Sequence, residues 1–202
     1  MTTTTLKTPR TAAVTPTARV LTASLVVGPL IYLAADSMYA ARGWQDATAG
    51  VLHVLGAIGY GFVVLAVATW LRRDSRLTAV LVVTGLIGMA GNVAYGFETI
   101  HQSFGDVQLV DRDGAANLIK PLGLFFPLSL FAVSIALHRF GCRWQCVTVC
   151  AAAVAWPIAH IGNIAEVAVP VNIALTLAFG SLALGATDLQ RALGSAERAP
   201  AS

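Results

Sequence analysis

The sequence predicts an all-α membrane protein, a bundle of six transmembrane helices with the N- and C-termini in the cytoplasm. Three observations support this fold class: the composition, six long apolar segments and the placement of the basic residues. Of the 202 residues, 56% are hydrophobic and only 11% are charged, whereas soluble domains carry roughly 25% charged residues. With a mean hydropathy of +0.73, the chain has too few charged groups to cover a water-facing surface.

Six apolar segments are each long enough to cross a hydrocarbon core of about 30 Å at about 1.5 Å per residue. They cover residues 19–41, 47–71, 77–100, 115–137, 146–167 and 169–189. They form one transmembrane domain, 19–189, between a Thr-rich stretch 1–18 that we expect to be disordered and a polar tail 190–202 that we expect to be flexible. A cleaved signal peptide is the alternative reading of the first segment, although that segment is long for a signal core and contains Asp36.

The basic residues set the expected orientation. One side of the predicted membrane carries Lys7, Arg10, Arg19, Arg72, Arg73, Arg76, Arg139, Arg143, Arg191 and Arg198. The opposite side carries only Arg42 and Arg112, together with several Asp residues. The positive-inside rule therefore predicts cytoplasmic termini in a multi-pass protein of the plasma or inner membrane. The basic residues lie at helix ends rather than in a stripe, which argues against a nucleic-acid partner.

Polar and ionisable residues inside the predicted spans fall toward the outer side of the membrane. They are Asp36, His53, Asn92, Glu98, His101, Lys120, His160, Asn163, Glu166 and Asn172. Counted from the outer helix ends, the deeper ones lie on the order of 8–11 Å below the boundary. Charged groups in a bilayer are costly and usually have a functional purpose. We therefore expect one polar cavity that opens toward the outer leaflet.

Helical spacing groups these residues further. In the fifth segment, the spacing predicts one shared helix face for Trp156, His160, Asn163 and Glu166. The tetrapeptide that contains Asn92, Gly-Asn-Val-Ala, is similar to the Gly-Asn-Ile-Ala that contains Asn163. The similarity predicts a shared role for the two Asn side chains in hydrogen bonding between helices.

The leading functional hypothesis is an enzyme that performs acid–base chemistry on a lipid-like or isoprenoid-like substrate. Carboxyl groups in an apolar pocket can donate a proton, and His or a second carboxylate can take one back. The predicted catalytic residues are Asp36, His160, Glu98, His53 and Glu166. The predicted substrate-binding residues are Tyr32, Tyr60, Asn92, Tyr95, Lys120, Trp156 and Asn163. In the kind of side chains that it collects, this set resembles integral-membrane isoprenoid cyclases and sterol isomerases, which implies an isomerase or cyclase activity.

Other readings remain open. The buried acids and imidazoles also fit a small proton-coupled transporter, and buried polar contacts fit a structural or accessory membrane subunit. His53, His101 and His160 are candidate haem or metal ligands, but they form no ligand-spacing motif, so no cofactor is predicted. The expected partners are membrane lipids and an apolar small molecule, and a homo-oligomer is compatible with the sequence. The segment 102–114 is either a lid over the cavity or a plain connector.

The orientation is testable with reporter fusions. Alkaline phosphatase fused after Gln108 is expected to be active, because that enzyme needs disulfides that form only outside the cytoplasm. The same reporter fused after Ser75 is expected to be inactive, and green fluorescent protein fused after Ser202 is expected to fluoresce. An active phosphatase at Ser75 with an inactive one at Gln108 would reverse the assigned topology.

Overall fold

A computed structural model of the chain describes residues 15–109 and 112–196, with side chains described except at 116–120 and 187–196. The described residues form helices and no β-strand, and six of the helices are long and apolar enough to span a membrane. The all-α, six-span fold class is therefore confirmed. The α-helices are α1 Pro16–Arg42, α2 Ala47–Trp70, α3 Arg76–Ser103, α4 Phe125–Arg139, α5 Arg143–Ile161 and α6 Ala165–Ala196.

The fourth span is not a regular α-helix along its whole length. It begins as a 3₁₀ helix, Gly114–Leu124, and becomes α-helical only at Phe125. The 15 residues of α4 reach about 22 Å, which is shorter than a hydrocarbon core of about 30 Å. The last turn of the 3₁₀ helix, from Pro121, completes the span. The positions of Pro121 and Pro127 favour this break, because proline removes an N–H donor from the helix.

The boundary between the fifth and sixth spans is also different from the prediction. Helix α5 ends at Ile161 rather than at Val167, and α6 begins at Ala165. Asn163 adopts a left-handed backbone conformation with φ 52° in the turn between them, which Asn tolerates better than most residues. At its other end, α6 continues to Ala196 and so includes residues 190–196, which the sequence assigned to the tail. The predicted N-terminal tail 1–18 lies largely outside the described residues, and α1 begins at Pro16.

The six helices form a closed ring in sequence order. Each helix packs on the next one along the chain, and α6 packs on α1. Aromatic rings fill the centre, where Tyr60 packs edge-on against Tyr32, Phe126 and Phe179 at centroid distances of 5.0–6.0 Å. Toward the end at which α2 and α4 finish, the buried residues Val63, Val67, Val133, Leu137 and Val149 are apolar. The core of this half of the bundle therefore consists of hydrocarbon side chains.

Glycines allow two pairs of elements to approach backbone to backbone. A Cβ at Gly59 would lie 2.5 Å from the Cα of Gly28, so α1 and α2 cross at this point with no side chain between them. Gly91 lies in the same way against the backbone of Leu122 and Gly123. The second contact seats the 3₁₀ part of the fourth span directly on α3. Small residues commonly permit such close helix packing in membranes.

The α1–α2 crossing predicts a difference between two identical substitutions. Gly59→Ala is expected to lower the free energy of unfolding by about 1–3 kcal/mol, because the new methyl group would push the two backbones apart. Gly180→Ala in α6 is the matched control, since a Cβ there meets no atom within 4 Å. Thermal unfolding in detergent measures both variants. Equal midpoints for the two variants would contradict the packing described.

Candidate functional site

Buried polar side chains from five helices meet near the end of the bundle at which α1, α3 and α5 finish. We call them the polar cluster: Tyr32, Asp36, His53, Asn92, His160 and Asn172. All are buried, and Tyr32, Asp36, His53 and Asn172 have no exposed surface. Only α4 contributes no member. The polar groups of separate spans therefore converge, and a continuous set of hydrogen bonds and ring contacts links them.

Asp36 lies at the junction of three helices. His160 of α5 places its Nε2 3.3 Å from both carboxyl oxygens. Asn172 of α6 donates from Nδ2 to Asp36 Oδ2 at 2.6 Å. A carboxyl group with no contact to water needs partners of this kind, because the desolvation of an unpaired charge costs several kcal/mol or more.

The contacts of His160 determine how many protons the pair of Asp36 and His160 holds. Its Nδ1 lies 3.1 Å from the backbone oxygen of Trp156. A carbonyl oxygen only accepts, so Nδ1 must carry a hydrogen and Nε2 faces Asp36. A single further proton then lies between Nε2 and the carboxyl group, as an ion pair or as a neutral acid and base. The ring of Trp156 stacks on His160 at a centroid distance of 4.1 Å and restricts the tilt of the imidazole.

A second hydrogen-bonded group lies beside this pair and joins α1, α2 and α3. The Tyr32 hydroxyl is 2.8 Å from Asn92 Oδ1 and 2.9 Å from His53 Nε2, and Nε2 is 3.2 Å from the same Asn92 oxygen. Asn92 Nδ2 donates to the Gly88 carbonyl at 2.9 Å, which fixes the orientation of the amide. The rings of His53 and His160 lie 6.1 Å apart between centroids. The two groups are thus in direct contact.

A cavity of about 570 Å³ borders the polar cluster. Its polar wall contains Asn92, Tyr95, Glu98, Gln102 and His160. The apolar wall contains Ala94, Leu109, Pro121, Leu124, Trp156 and Ile161. The break in the fourth span lines this cavity. Irregular backbone at membrane depth is tolerated where it is buried in protein or faces a cavity.

Glu98 connects the cavity wall to the loop after α3. Its Oε1 accepts a hydrogen bond from the backbone N–H of Leu109 at 2.7 Å. One turn further along α3, Gln102 accepts from the side-chain amide of Gln108 at 3.2 Å. Gln108 and Leu109 in the described part of the loop therefore lie at the cavity wall, and the lid remains a prediction. No described residue forms a hydrogen bond with the second carboxyl oxygen of Glu98.

The structure brings together most of the residues that the sequence singled out. Asp36, His53, His160, Tyr32 and Asn92 belong to the polar cluster. Glu98, Tyr95, Trp156 and Asn163 line the cavity that borders it. Tyr60 packs against the ring of Tyr32, below the cavity.

Two predicted site residues, Glu166 and Asn163, are placed differently, and the side chain of a third cannot be compared. Glu166 is exposed in the first turn of α6 and is not among the cavity-lining residues, because α5 ends before it. The expected face shared by His160, Asn163 and Glu166 does not exist. The expected common role of Asn92 and Asn163 is wrong as well, since Asn92 is buried in α3 and Asn163 is exposed in a turn. Lys120 lies in the 3₁₀ helix, and its side chain is outside the described residues.

Asn172 is the main contact of Asp36 that the predicted site residues leave out. It was recognised as polar, but nothing in its spacing indicates that it faces Asp36. The sequence also gave no role to Gln45, Gln102 and Gln108, which line the cavity. Trp44, which the sequence predicts as an interface anchor, also lines the cavity, and its ring lies edge-on to His160 at 5.8 Å. Trp44, Gln45 and Gln108 lie in loops, where no periodicity could predict the direction of a side chain.

The candidate haem or metal ligands are not gathered in one place. His53 and His160 belong to the polar cluster, whereas His101 forms an exposed contact of 2.9 Å with Asp106 in the loop. Among the described residues, no group of three or more His, Cys, Asp or Glu side chains is arranged to hold a metal ion.

Comparison of the chain with known protein-family models, with curated proteins and with solved structures found no match. The polar cluster and its cavity are therefore the basis for a functional proposal.

The contacts of Asp36 predict a large loss of stability on truncation. Asp36→Ala is expected to lower the free energy of unfolding by about 3–5 kcal/mol, because His160 and Asn172 would lose a buried partner. Thermal unfolding in detergent measures this loss. Asp74→Ala is the control, because Asp74 is exposed to solvent. The hydrogen bonds that it accepts from Arg72 lower the pKa of its carboxyl group but do not bury it. A midpoint for Asp36→Ala equal to that of Asp74→Ala would refute the buried pair.

Proposed function

We propose that the protein is an integral membrane enzyme that moves protons on a lipid-like or isoprenoid-like substrate, in an isomerase or cyclase type of reaction. One observation carries the proposal: ionisable groups from separate helices, Glu98 on α3 and His160 on α5, line one largely apolar cavity. Structural polar contacts between helices do not need such a cavity. Acid–base catalysis on an apolar molecule does.

The pair of Asp36 and His160 supplies one of the two proton sites. Asp36 is fully buried and reaches the cavity only through His160, so it acts as a positioning and charge-balancing group. Their contact of 3.3 Å is slightly longer than an optimal hydrogen bond. Catalytic hydrogen bonds are often long in the absence of substrate and tighten when it binds. A small rotation of the imidazole would present Nε2 to the cavity.

Glu98 supplies the second proton site. Its bond from the Leu109 N–H holds one oxygen, and the other oxygen is available to a substrate. A carboxyl group that faces apolar walls is suited to general acid or base catalysis. The two sites lie on different helices, so one can give a proton to the substrate while the other removes one. A double-bond shift or a ring closure requires one group that donates a proton and another that removes a proton.

The walls indicate the class of substrate. The volume of about 570 Å³ falls within the range of roughly 300–1,000 Å³ that is usual for small-molecule sites. Tyr95 and Trp156 present aromatic surfaces, which can stabilise cationic charge that develops on a hydrocarbon. We therefore assign an apolar, lipid-like substrate drawn from the surrounding bilayer. We propose that the enzyme lies in the plasma or inner membrane with the cavity toward the outer leaflet, and the pattern of basic residues supports this orientation.

A proton-coupled transporter is the second candidate, and the broken fourth span favours it. Transporters often build their binding sites where a transmembrane helix is interrupted, and here the 3₁₀ helix ends at Leu124 beside the cavity. The apolar core of the other half of the bundle opposes this function, because a transported molecule needs a second exit. The enzyme therefore explains more of the structure.

Deuterium incorporation distinguishes the enzyme from the alternatives. The purified protein is placed in bilayers of total membrane lipid in D₂O buffer, and the lipids are analysed by mass spectrometry. The wild-type protein is expected to place deuterium on carbon in one lipid class. Glu98→Gln and Asp36→Asn are expected to reduce the rate by about 100-fold or more, the usual contribution of general acid–base catalysis.

Asp74→Asn is the matched control and should label lipid at the wild-type rate, since its carboxyl group is exposed in a loop remote from the cavity. Both site variants must remain folded, as judged by gel filtration and thermal unfolding. Equal labelling by the wild type, Asp36→Asn and Glu98→Gln would disprove the proposed enzyme. Proton flux in proteoliposomes without any labelling would instead identify the transporter.

A further inference from the structure

His53 has a ring nitrogen that the described contacts leave without a partner. Its Nε2 is held by Tyr32 and Asn92, whereas Nδ1 is buried and has no hydrogen-bond partner among the described residues. The side chain has no exposed surface. Unsatisfied buried polar atoms are rare in native proteins and usually indicate bound water, a ligand or a catalytic role.

The hydrogen bonds determine the tautomer of His53. Asn92 uses its Nδ2 on the Gly88 carbonyl, so the oxygen that faces Tyr32 and His53 can only accept. Tyr32 has one hydroxyl hydrogen and donates it to this oxygen at 2.8 Å. The Nε2 of His53 must then donate to the Tyr32 oxygen at 2.9 Å. Nδ1 therefore carries a lone pair and is a neutral, buried base.

His53 lies at the same level of the bundle as Asp36. The ring of His53 contacts the rings of Tyr32 and Tyr39 at 4.5 and 5.9 Å. These two residues are two turns apart on the same face of α1, and Asp36 lies between them. The ring of His160 is 6.1 Å away. His53 is therefore level with the pair of Asp36 and His160, but it does not bond to either residue directly.

A second unpartnered atom lies beside the same pair. Asn172 donates to Asp36 with Nδ2, and its Oδ1 is buried without a hydrogen-bond partner among the described residues. A buried water molecule typically makes about three hydrogen bonds to such groups. Asn172 Oδ1 and His53 Nδ1 are thus two buried acceptors that no described residue satisfies. A buried water molecule can donate hydrogen bonds to acceptors of this kind.

We propose that a buried water links the Nδ1 of His53 to the pair of Asp36 and His160, and that His53 stores the proton that this pair exchanges with substrate. The second half of this inference rests on the proposed enzyme function. When the pair gains a proton from the substrate, the water accepts it and passes another to Nδ1. His53 becomes an imidazolium, keeps its Nε2–H on Tyr32 and returns the pair to its original protonation state. When the pair instead donates a proton to the substrate and Glu98 removes one, the reverse transfer from His53 supplies the donated proton.

The water site is tested without any reference to activity. Proton-detected solid-state NMR of the full chain in lipid bilayers, with ¹⁵N-labelled histidine, reports the protonation and water contact of each ring nitrogen. We expect a protonated Nε2 and an unprotonated Nδ1 in contact with water for the signal that His53→Gln removes. A protonated Nδ1, or an Nδ1 with no water contact, would overturn the assignment.

The proton store is tested by chemical rescue of deuterium labelling. His53→Ala is expected to label lipid about 100-fold more slowly than the wild type. Imidazole should restore labelling, whereas pyrazole, which has a similar shape and is a much weaker base, should not. His53→Gln, which can still donate to Tyr32, controls for structural damage and should remain folded but slow. A purely structural role would let pyrazole rescue as well as imidazole, or would leave His53→Gln fast.

The outcomes separate the two proposals. If the wild-type protein labels no lipid, the enzyme and the proton store both fail, and NMR alone decides whether the water site exists. If the wild type labels lipid and both His53 variants match its rate, the enzyme stands and the proton store is wrong.

Discussion

The burial of the Asp36 carboxyl group is the constraint on which the rest of the site depends. A carboxyl group at this depth in a membrane protein is stable only if other helices bring partners to it. His160 and Asn172 do so from α5 and α6, and these contacts fix the rotation of both helices relative to α1. The contact of His160 Nδ1 with the Trp156 carbonyl then sets the tautomer that faces Asp36.

Close backbone packing places the cavity next to this pair. Gly91 lets the 3₁₀ part of the fourth span lie directly on α3, so that this span does not fill the space in front of Asn92 and Glu98. A regular α-helix over the same residues would present side chains in other directions. The break in the fourth span thus helps to form the cavity. The hydrocarbon core of the other half of the bundle supplies the rigid base on which it rests.

The sequence predicts the number of spans and the convergence of Asp36, His53 and His160, because apolar length and helix depth are local properties. It does not predict that α5 ends at Ile161, since the left-handed backbone conformation of Asn163 in the turn that follows cannot be derived from apolar length. The helix face that the spacing predicts for Glu166 is wrong for that reason. Asp36 and Asn172 lie 136 positions apart in the sequence, and they meet only if α1 and α6 have the right rotation about their axes. A spacing rule within one helix cannot predict that rotation. The membrane orientation remains a prediction from the basic residues.

The most direct test of the account is the distance between Asp36 and His160 in a bilayer. Rotational-echo double-resonance NMR between a ¹³C-labelled Asp36 carboxyl carbon and ¹⁵N-labelled His160 Nε2 measures it in the intact protein. The account predicts strong dipolar dephasing, as expected for two groups in hydrogen-bond contact, which Asn172→Leu weakens and Asp74→Asn leaves unchanged. An absence of dephasing in the folded wild-type protein would mean that the two groups do not form a pair, and the proposed site would be wrong.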